Sequence, residues 1–212
     1  MKFFLCLSVL ILIVSACSQE SDQVTENSKV DVSNTTTYAA KMADLDKKLR
    51  SQPDDIPLLL QSANLALENY DYPKALADAA RAFRLDSNKV ETKLIYALSI
   101  INKSNRSVSD IRRARGYFQN IIKEMPDNPK AMIGLANTYV LQQDFDEARN
   151  WIDKTLEFAP KFFDAHVLQG SIYKVLAAAL TGDDGSESLS RAYMDSAIQT
   201  YSRVCQYHPD RS

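Results

Sequence analysis

The sequence has few of the residues from which metal, phosphate and nucleophile sites are usually built. Its 212 residues include two histidines, three cysteines and five glycines. It contains no GxGxxG, GxxxxGK(S/T), GxSxG or HExxH pattern, and no CxxC pair. These patterns carry most dinucleotide, P-loop, hydrolase and zinc chemistry. We therefore expect no metal, no cofactor and no catalytic residue.

The sequence also lacks an excess of charge of either sign. Lys and Arg number 25 and Asp and Glu number 27, which gives a net charge of −2. Nucleic-acid-binding domains usually carry a strong basic excess, so we expect no nucleic-acid partner. Apolar residues make up 45% and charged residues 25%, which is the composition of ordinary globular proteins.

The longest apolar run is too short for a transmembrane helix. Residues 3–14, FFLCLSVLILIV, follow Lys2, whereas a membrane-spanning helix needs roughly 20 apolar residues. A basic start and a short apolar run predict a signal peptide over residues 1–16. The next four-residue motif, Val14-Ser15-Ala16-Cys17, resembles the bacterial lipobox. This resemblance implies cleavage before Cys17 and its acylation (palmitate or a related chain), whereas a plain secretory signal with a chance cysteine is the alternative.

The segment after Cys17 is polar. Residues 18–37, SQESDQVTENSKVDVSNTTT, contain no aromatic residue and no helical apolar period, so they predict a disordered tether. Ser18 at the second mature position resembles the lipoproteins that are sorted to the outer membrane. The sequence therefore predicts a lipid-anchored protein of the cell envelope, facing the periplasm from the outer membrane.

The remainder of the sequence repeats with a helical period. The clearest stretch is LANTYVLQQDFDEARNWIDKTLEFAP, residues 135–160. Its small, aromatic and proline positions resemble those of the 34-residue tetratricopeptide repeat (TPR). The resemblance implies an all-α superhelical solenoid with repeats at about 56–89, 90–128, 129–162 and 163–209. Residues 38–55 predict a single capping helix, and residues 181–188 a loop inside a lengthened fourth repeat.

The family resemblance also implies how the repeats pack. Small residues at Ala63, Ala97, Ala136 and Gly170 would let paired helices approach, because helix pairs of a solenoid bury their apolar faces against each other. Prolines 53, 126, 160 and 209 would end the second helix of each pair, since proline cannot continue a helix.

TPR proteins bind peptides or helices on a concave face that the first helix of each repeat lines. Carrying those positions over gives the candidate groove: Leu60, Asn64, Leu67, Leu94, Leu98, Ile101, Lys130, Ile133, Asn137, Val140, Leu141, Val167 and Lys174. Asparagine can donate to and accept from a peptide backbone, and aliphatic residues can receive side chains. The alternative is that neighbouring helices cover the aliphatic residues.

The basic clamp that some TPR domains use for acidic chaperone tails is incomplete. Asn64 and Lys130 match it, but Leu60, Ile95 and Gly134 do not, so we expect no binding of such tails. The expected function is an interaction adaptor or scaffold, for instance in assembly of an outer-membrane, secretion or pilus complex. An accessory subunit of an envelope enzyme and a structural homo-oligomer are the alternatives.

The homo-oligomer hypothesis is suggested by the last helix, because no polar capping helix follows it in the sequence. Tyr201, Val204 and Tyr207 would then be exposed and could pair with a second copy. Cys205 and His208 are close enough for a nucleophile pair, but no third group supports them, and His166 is expected to be a core or groove-edge residue.

Overall fold

The computed structural model describes residues 37–180 and 186–209. The predicted signal peptide, Cys17 and nearly all of the predicted tether lie outside the described residues. Within them all regular secondary structure is helical, as predicted. The helices are α1 Tyr38–Ser51, α2 Ile56–Glu68, α3 Tyr72–Leu85, α4 Val90–Asn102, α5 Val108–Glu124, α6 Pro129–Val140, α7 Phe145–Phe158, α8 Phe163–Ala179 and α9 Glu187–Tyr207.

Local sequence explains where several helices begin. Asp55, Asp71, Asn128 and Asp144 precede α2, α3, α6 and α7, and the side chain of each accepts a hydrogen bond from the backbone N–H three residues later. Such a cap satisfies one of the amide groups that the first helical turn leaves unpaired. The four capped starts fix the phase of repeats one and three.

Prolines also stand where the predicted helices should stop. Helices α1, α5, α7 and α9 each end two residues before a proline, at Ser51, Glu124, Phe158 and Tyr207. The residue before proline avoids the helical conformation, which explains the common spacing. One boundary differs from the prediction: Glu187 already belongs to α9, so the predicted loop at 181–188 is shorter at its C-terminal side.

The described residues form two compact units, residues 37–159 and residues 160–209 without 181–185. In the first unit each helix packs on the next, and the first helices of the repeats also contact each other, α2 with α4 and α4 with α6. One core cluster joins α1 to α4 around Leu49, Leu59 and Ile95. A second joins α4 to α6 around Phe118 and Ile121.

Close approach of helices depends on glycine at two positions. A Cβ atom on Gly134 of α6 would lie 2.5 Å from the ring of Phe118 on α5. In the second unit a Cβ atom on Gly170 of α8 would lie 2.8 Å from the ring of Tyr201 on α9. The role predicted for Gly170 is therefore observed, whereas Gly134 is a second such contact that the sequence analysis did not identify.

The long turn of the second repeat is held by the carboxylate of Asp110. Its Oδ2 atom lies 2.8 Å from Lys103 Nζ and accepts hydrogen bonds from the backbone N–H of Ser107 at 2.8 Å and its hydroxyl at 2.7 Å. Its Oδ1 atom lies 2.9 Å from Arg113. The hydrogen bond from Lys103, followed by those from Ser107, holds the pKa of Asp110 well below its usual range.

Two intra-repeat turns contain a residue in the left-handed region. Tyr70 has a φ of 61° and Gln143 a φ of 63°. They follow α2 and α6 at matching positions of repeats one and three. A non-glycine residue in this conformation is strained by contact between its Cβ atom and the backbone.

The second unit is the hairpin of α8 and α9. His166 is buried, with its Nε2 atom 2.8 Å from the carbonyl oxygen of Pro160, in agreement with the predicted core role. The exposure predicted for the last helix is wrong in one respect, because Val204 is buried and Tyr201 and Tyr207 are half-buried. The packing of α9 on α8 therefore covers much of these three side chains.

Candidate functional site

The first helices of three consecutive repeats lie side by side and form what we call the α2–α4–α6 face. Because α2 contacts α4 and α4 contacts α6, equivalent residues of the repeats are brought into rows. Asn64, Leu98 and Asn137 form the central row, each at the ninth position of its repeat and each half-buried. One face of the helices therefore carries a row of three side chains, in which an aliphatic residue lies between two amides.

The side-chain amides of the two outer residues of this row are available. Within the described part of the chain neither Asn64 nor Asn137 forms a side-chain hydrogen bond, and both retain contact with solvent. Asn102 differs, because its Nδ2 atom donates to the carbonyl oxygen of Leu98 at 2.9 Å. The face therefore offers two amides that can both donate and accept.

Several predicted groove residues are buried and serve the core. Leu94 and Ile101 belong to the α4–α6 core cluster and Leu60 to the α1–α4 cluster, while Ile133 is also buried. These four residues therefore follow the alternative given in the sequence analysis, in which neighbouring helices cover the aliphatic side chains of the predicted groove. Leu60 differs from the other three in that it also lines an open cleft.

The other candidates keep exposed surface. Leu67, Leu98, Val140 and Leu141 are half-buried and Lys130 is exposed. Val167 and Lys174 are half-buried residues of α8, in the second unit. The candidate surface of the first unit is therefore narrower and more polar than the sequence predicted.

A cleft of about 560 Å³ opens at the N-terminal end of this face, between α1, α2 and the start of α4. Its volume is in the range of peptide and small-molecule sites. Leu45 and Leu60 form its apolar part, and Asn64 and Gln61 supply amides. The sequence analysis missed the wall from α1 because this helix lies outside the repeats, although its cleft-lining residues have a helical spacing of three and four.

The wall that α1 contributes is fixed by polar contacts with α3. Lys74 Nζ lies 2.7 Å from Asp46 on α1 and 3.2 Å from Asp78. Burial alone would lower the pKa of Lys74, but these carboxylates outweigh it and raise the pKa. Tyr38 OH donates to Asp71 at 2.8 Å, and burial together with this hydrogen bond raises the pKa of Tyr38 to about 12.

A comparison with protein families identifies the repeat. Residues 107–172 match the family model described as Tetratricopeptide repeat. This match identifies residues 107–172 as tetratricopeptide repeat. No curated protein sequence matches the chain, whereas solved TPR structures match its fold over most of its length.

Three solved structures illustrate the likeness of the fold. TTC0263 of Thermus thermophilus is 15% identical, with 81% of this chain and 84% of that chain covered and a TM-score of 0.56. Human IFIT1, solved as a dimer with PPP-AAAA, is 18% identical, with 81% and 39% covered and a TM-score of 0.64. MamA from Desulfovibrio magneticus RS-1 is 12% identical, with 84% and 89% covered and a TM-score of 0.51. At these identities the comparison shows the fold alone, and the predicted TPR solenoid is confirmed.

The TPR fold is typically a non-catalytic interaction module that presents an extended binding surface. Among residues 37–180 and 186–209, no group of three or more His, Cys, Asp or Glu side chains could hold a metal ion. No helix of those residues has the length and apolar character needed to cross a bilayer.

Proposed function

We propose that this TPR protein is a membrane-anchored adaptor of the cell envelope that binds a segment of a partner protein on its α2–α4–α6 face. The observation that carries the proposal is the pair Asn64 and Asn137, which are half-buried and at equivalent positions, and whose side-chain amides form no hydrogen bond among the described residues. A polypeptide backbone presents alternating N–H and C=O groups, which side-chain amides can bind at both ends.

The N-terminal sequence supports the location that we propose. The apolar run before Cys17 and the small residues next to it favour lipid attachment at this thiol. More than one acyl chain gives stable membrane anchoring. A tethered adaptor raises the effective concentration of its partner at the membrane, in this case the periplasmic side of the outer membrane, where a secretion, pilus or outer-membrane complex could be assembled.

Partner binding can be tested by site-specific crosslinking in native membranes. A photoreactive residue in place of Asn64 or Asn137 is expected to enrich the same envelope protein, because both positions lie on one face. Gln119 is exposed on α5, away from this face, and provides the control position. Alanine at both asparagines should reduce capture about thirtyfold, since each lost backbone hydrogen bond weakens binding by about 1 kcal/mol and two such bonds are lost.

Equal enrichment from Gln119 would contradict the proposed face. Leu98→Asp, although central in the row, is unsuitable as a test because Leu98 packs against both core clusters. A charge at this position would lower the stability of the fold. A loss of binding could then not be distinguished from a loss of structure.

Membrane anchoring is tested separately by metabolic labelling with a palmitate analogue. Cys17→Ala should abolish labelling and leave an uncleaved precursor, because the thiol is the acceptor and its lipidation precedes cleavage. Cys6→Ala is the matched control: Cys6 lies within the predicted signal peptide, so labelling should persist. Normal labelling of the Cys17→Ala protein would refute the lipoprotein hypothesis and leave the binding face untouched.

A further inference from the structure

The cleft between α1, α2 and α4 contains an unused pair of opposite charges. Lys41 of α1 and Glu68 of α2 both line it, and within the described residues neither forms an ion pair. By contrast, Lys48 lies 2.7 Å from Asp44 and Lys89 lies 3.7 Å from Glu91. Lys41 and Glu68 therefore offer a ligand one ammonium and one carboxylate.

These two charges belong to the same end of the cleft but to opposite walls. Helices α1 and α2 run antiparallel, with Met42 Sδ 3.3 Å from Ser62 Oγ and Tyr38 bonded to Asp71, just after the end of α2. Lys41 lies between Tyr38 and Met42 along α1, so it is level with the last turns of α2. A ligand at this end would meet a positive wall on one side and a negative wall on the other.

The middle of the cleft fits an apolar side chain and a peptide backbone. Leu45 and Leu60 are buried and form the floor, while Leu65 is half-buried at its edge. The amides of Gln61 and Asn64 form no side-chain hydrogen bond within the described residues. They stand one helical turn apart on α2 and can bind successive peptide groups of an extended chain.

The length of the cleft sets the length of the ligand. Its α2 wall runs from Pro57 to Glu68, which is roughly 16 Å at 1.5 Å per helical residue. An extended chain advances about 3.3 Å per residue, so about five residues fit. Adjacent side chains of an extended chain point to opposite sides, and two neighbouring residues of opposite charge would therefore face the two walls.

We infer that this cleft binds an extended stretch of about five residues of the partner, with adjacent acidic and basic residues at Lys41 and Glu68 and an apolar residue over Leu60. The inference rests on the proposed function and names the chemistry of the segment. The balanced charge of the lining, with three lysines and three carboxylates, favours such a segment over a polyanion, which would be repelled by the carboxylates.

The test measures binding of three fluorescein-labelled, terminally capped peptides to the full chain in detergent by fluorescence polarisation. Their sequences are Asp-Lys-Leu-Gly-Val, Lys-Asp-Leu-Gly-Val and the neutral Asn-Gln-Leu-Gly-Val. One of the two charged peptides should bind about fivefold more tightly than the neutral peptide, because two partly exposed ion pairs contribute up to about 1 kcal/mol.

The decisive variant exchanges the charges of the two walls. Lys41→Glu combined with Glu68→Lys should prefer the other charged peptide, whereas Lys47→Glu should keep the original preference because Lys47 is exposed on α1 outside the cleft. Circular dichroism of each variant checks that the helices are intact. This inversion of the peptide preference is expected whichever way the peptide runs along the cleft.

Several outcomes would overturn the inference. Equal affinity for all three peptides, an unchanged preference in the exchanged variant, or no binding at millimolar concentration would each do so. Self-association of the full chain that the exchange abolishes would assign the cleft to a second copy instead. The crosslinking from Asn64 and Asn137 is independent of these peptides, so the proposed face can stand while the cleft assignment fails.

Discussion

Gly134→Ala should lower the free energy of unfolding by about 2 kcal/mol, the usual cost of forcing an extra carbon into a packed core. The new Cβ atom would lie 2.5 Å from two ring carbons of Phe118, a residue that is itself fully buried. Relief requires either a shift of the ring against the core cluster or a wider separation of α5 and α6. Both changes remove contacts between the second and third repeats.

The matched control is Gly116→Ala, in the middle of α5. A Cβ atom there meets nothing within 4 Å, and alanine favours the helix over glycine by about 1 kcal/mol. The same chemical change should therefore stabilise the protein at position 116 and destabilise it at position 134. Urea unfolding followed by circular dichroism measures both, and equal effects at the two positions would contradict the contact with Phe118.

Much of the fold could be predicted because its signals are local. The caps at Asp55, Asp71 and Asp144 and the prolines after the second helices act on their own neighbours in the chain. The spacing of small and aromatic residues repeats with the helix pairs. Helix bounds therefore follow from short stretches of sequence without knowledge of tertiary contacts.

The candidate site was predicted less completely because it depends on which helices become neighbours. Leu94 and Ile101 occupy ligand-binding positions of the repeat, yet residues from α5 and α6 cover them. Conversely, Lys41 lies outside any repeat and reaches the site only because α1 docks beside α2. Neither the burial of Leu94 and Ile101 nor the position of Lys41 can be predicted from the residue spacing within a single helix.

The turns show the same limit. Tyr70 and Gln143 adopt a left-handed conformation that glycine would signal in sequence. Here the requirement comes from the geometry that joins two packed helices, and the residue type gives no indication of it.

Asp110→Asn is expected to lower the free energy of unfolding by about 2 kcal/mol at neutral pH. The side chain of Asp110 is only 10% exposed, and its carboxylate accepts bonds from Lys103, Ser107 and Arg113. Hydrogen bonds to a charged group contribute about 1.5–3 kcal/mol, and the neutral amide of asparagine accepts more weakly and with one oxygen in place of two. Solvent screening of the partly exposed cations reduces the effect toward the lower part of that range.

The dependence on pH separates this electrostatic effect from a simple packing defect. Lys103 and Ser107 hold the pKa of Asp110 below its usual value, so the folded state releases the proton more readily than the unfolded state. The stabilisation is complete above the unfolded pKa of about 3.9 and is lost as the pH falls from there toward the folded pKa. The difference between the parent protein and Asp110→Asn should therefore be constant from about pH 7 to pH 5 and shrink below about pH 4.

Asp146→Asn is the control, because Asp146 also pairs with an arginine three residues later but its side chain is 91% exposed. Its unfolding curve should stay close to that of the parent protein at every pH. If Asp110→Asn instead lost the same free energy at pH 3 and pH 7, the long turn of the second repeat would depend on the shape of this side chain. The hydrogen-bonded carboxylate would then not be what holds α4 and α5 in register.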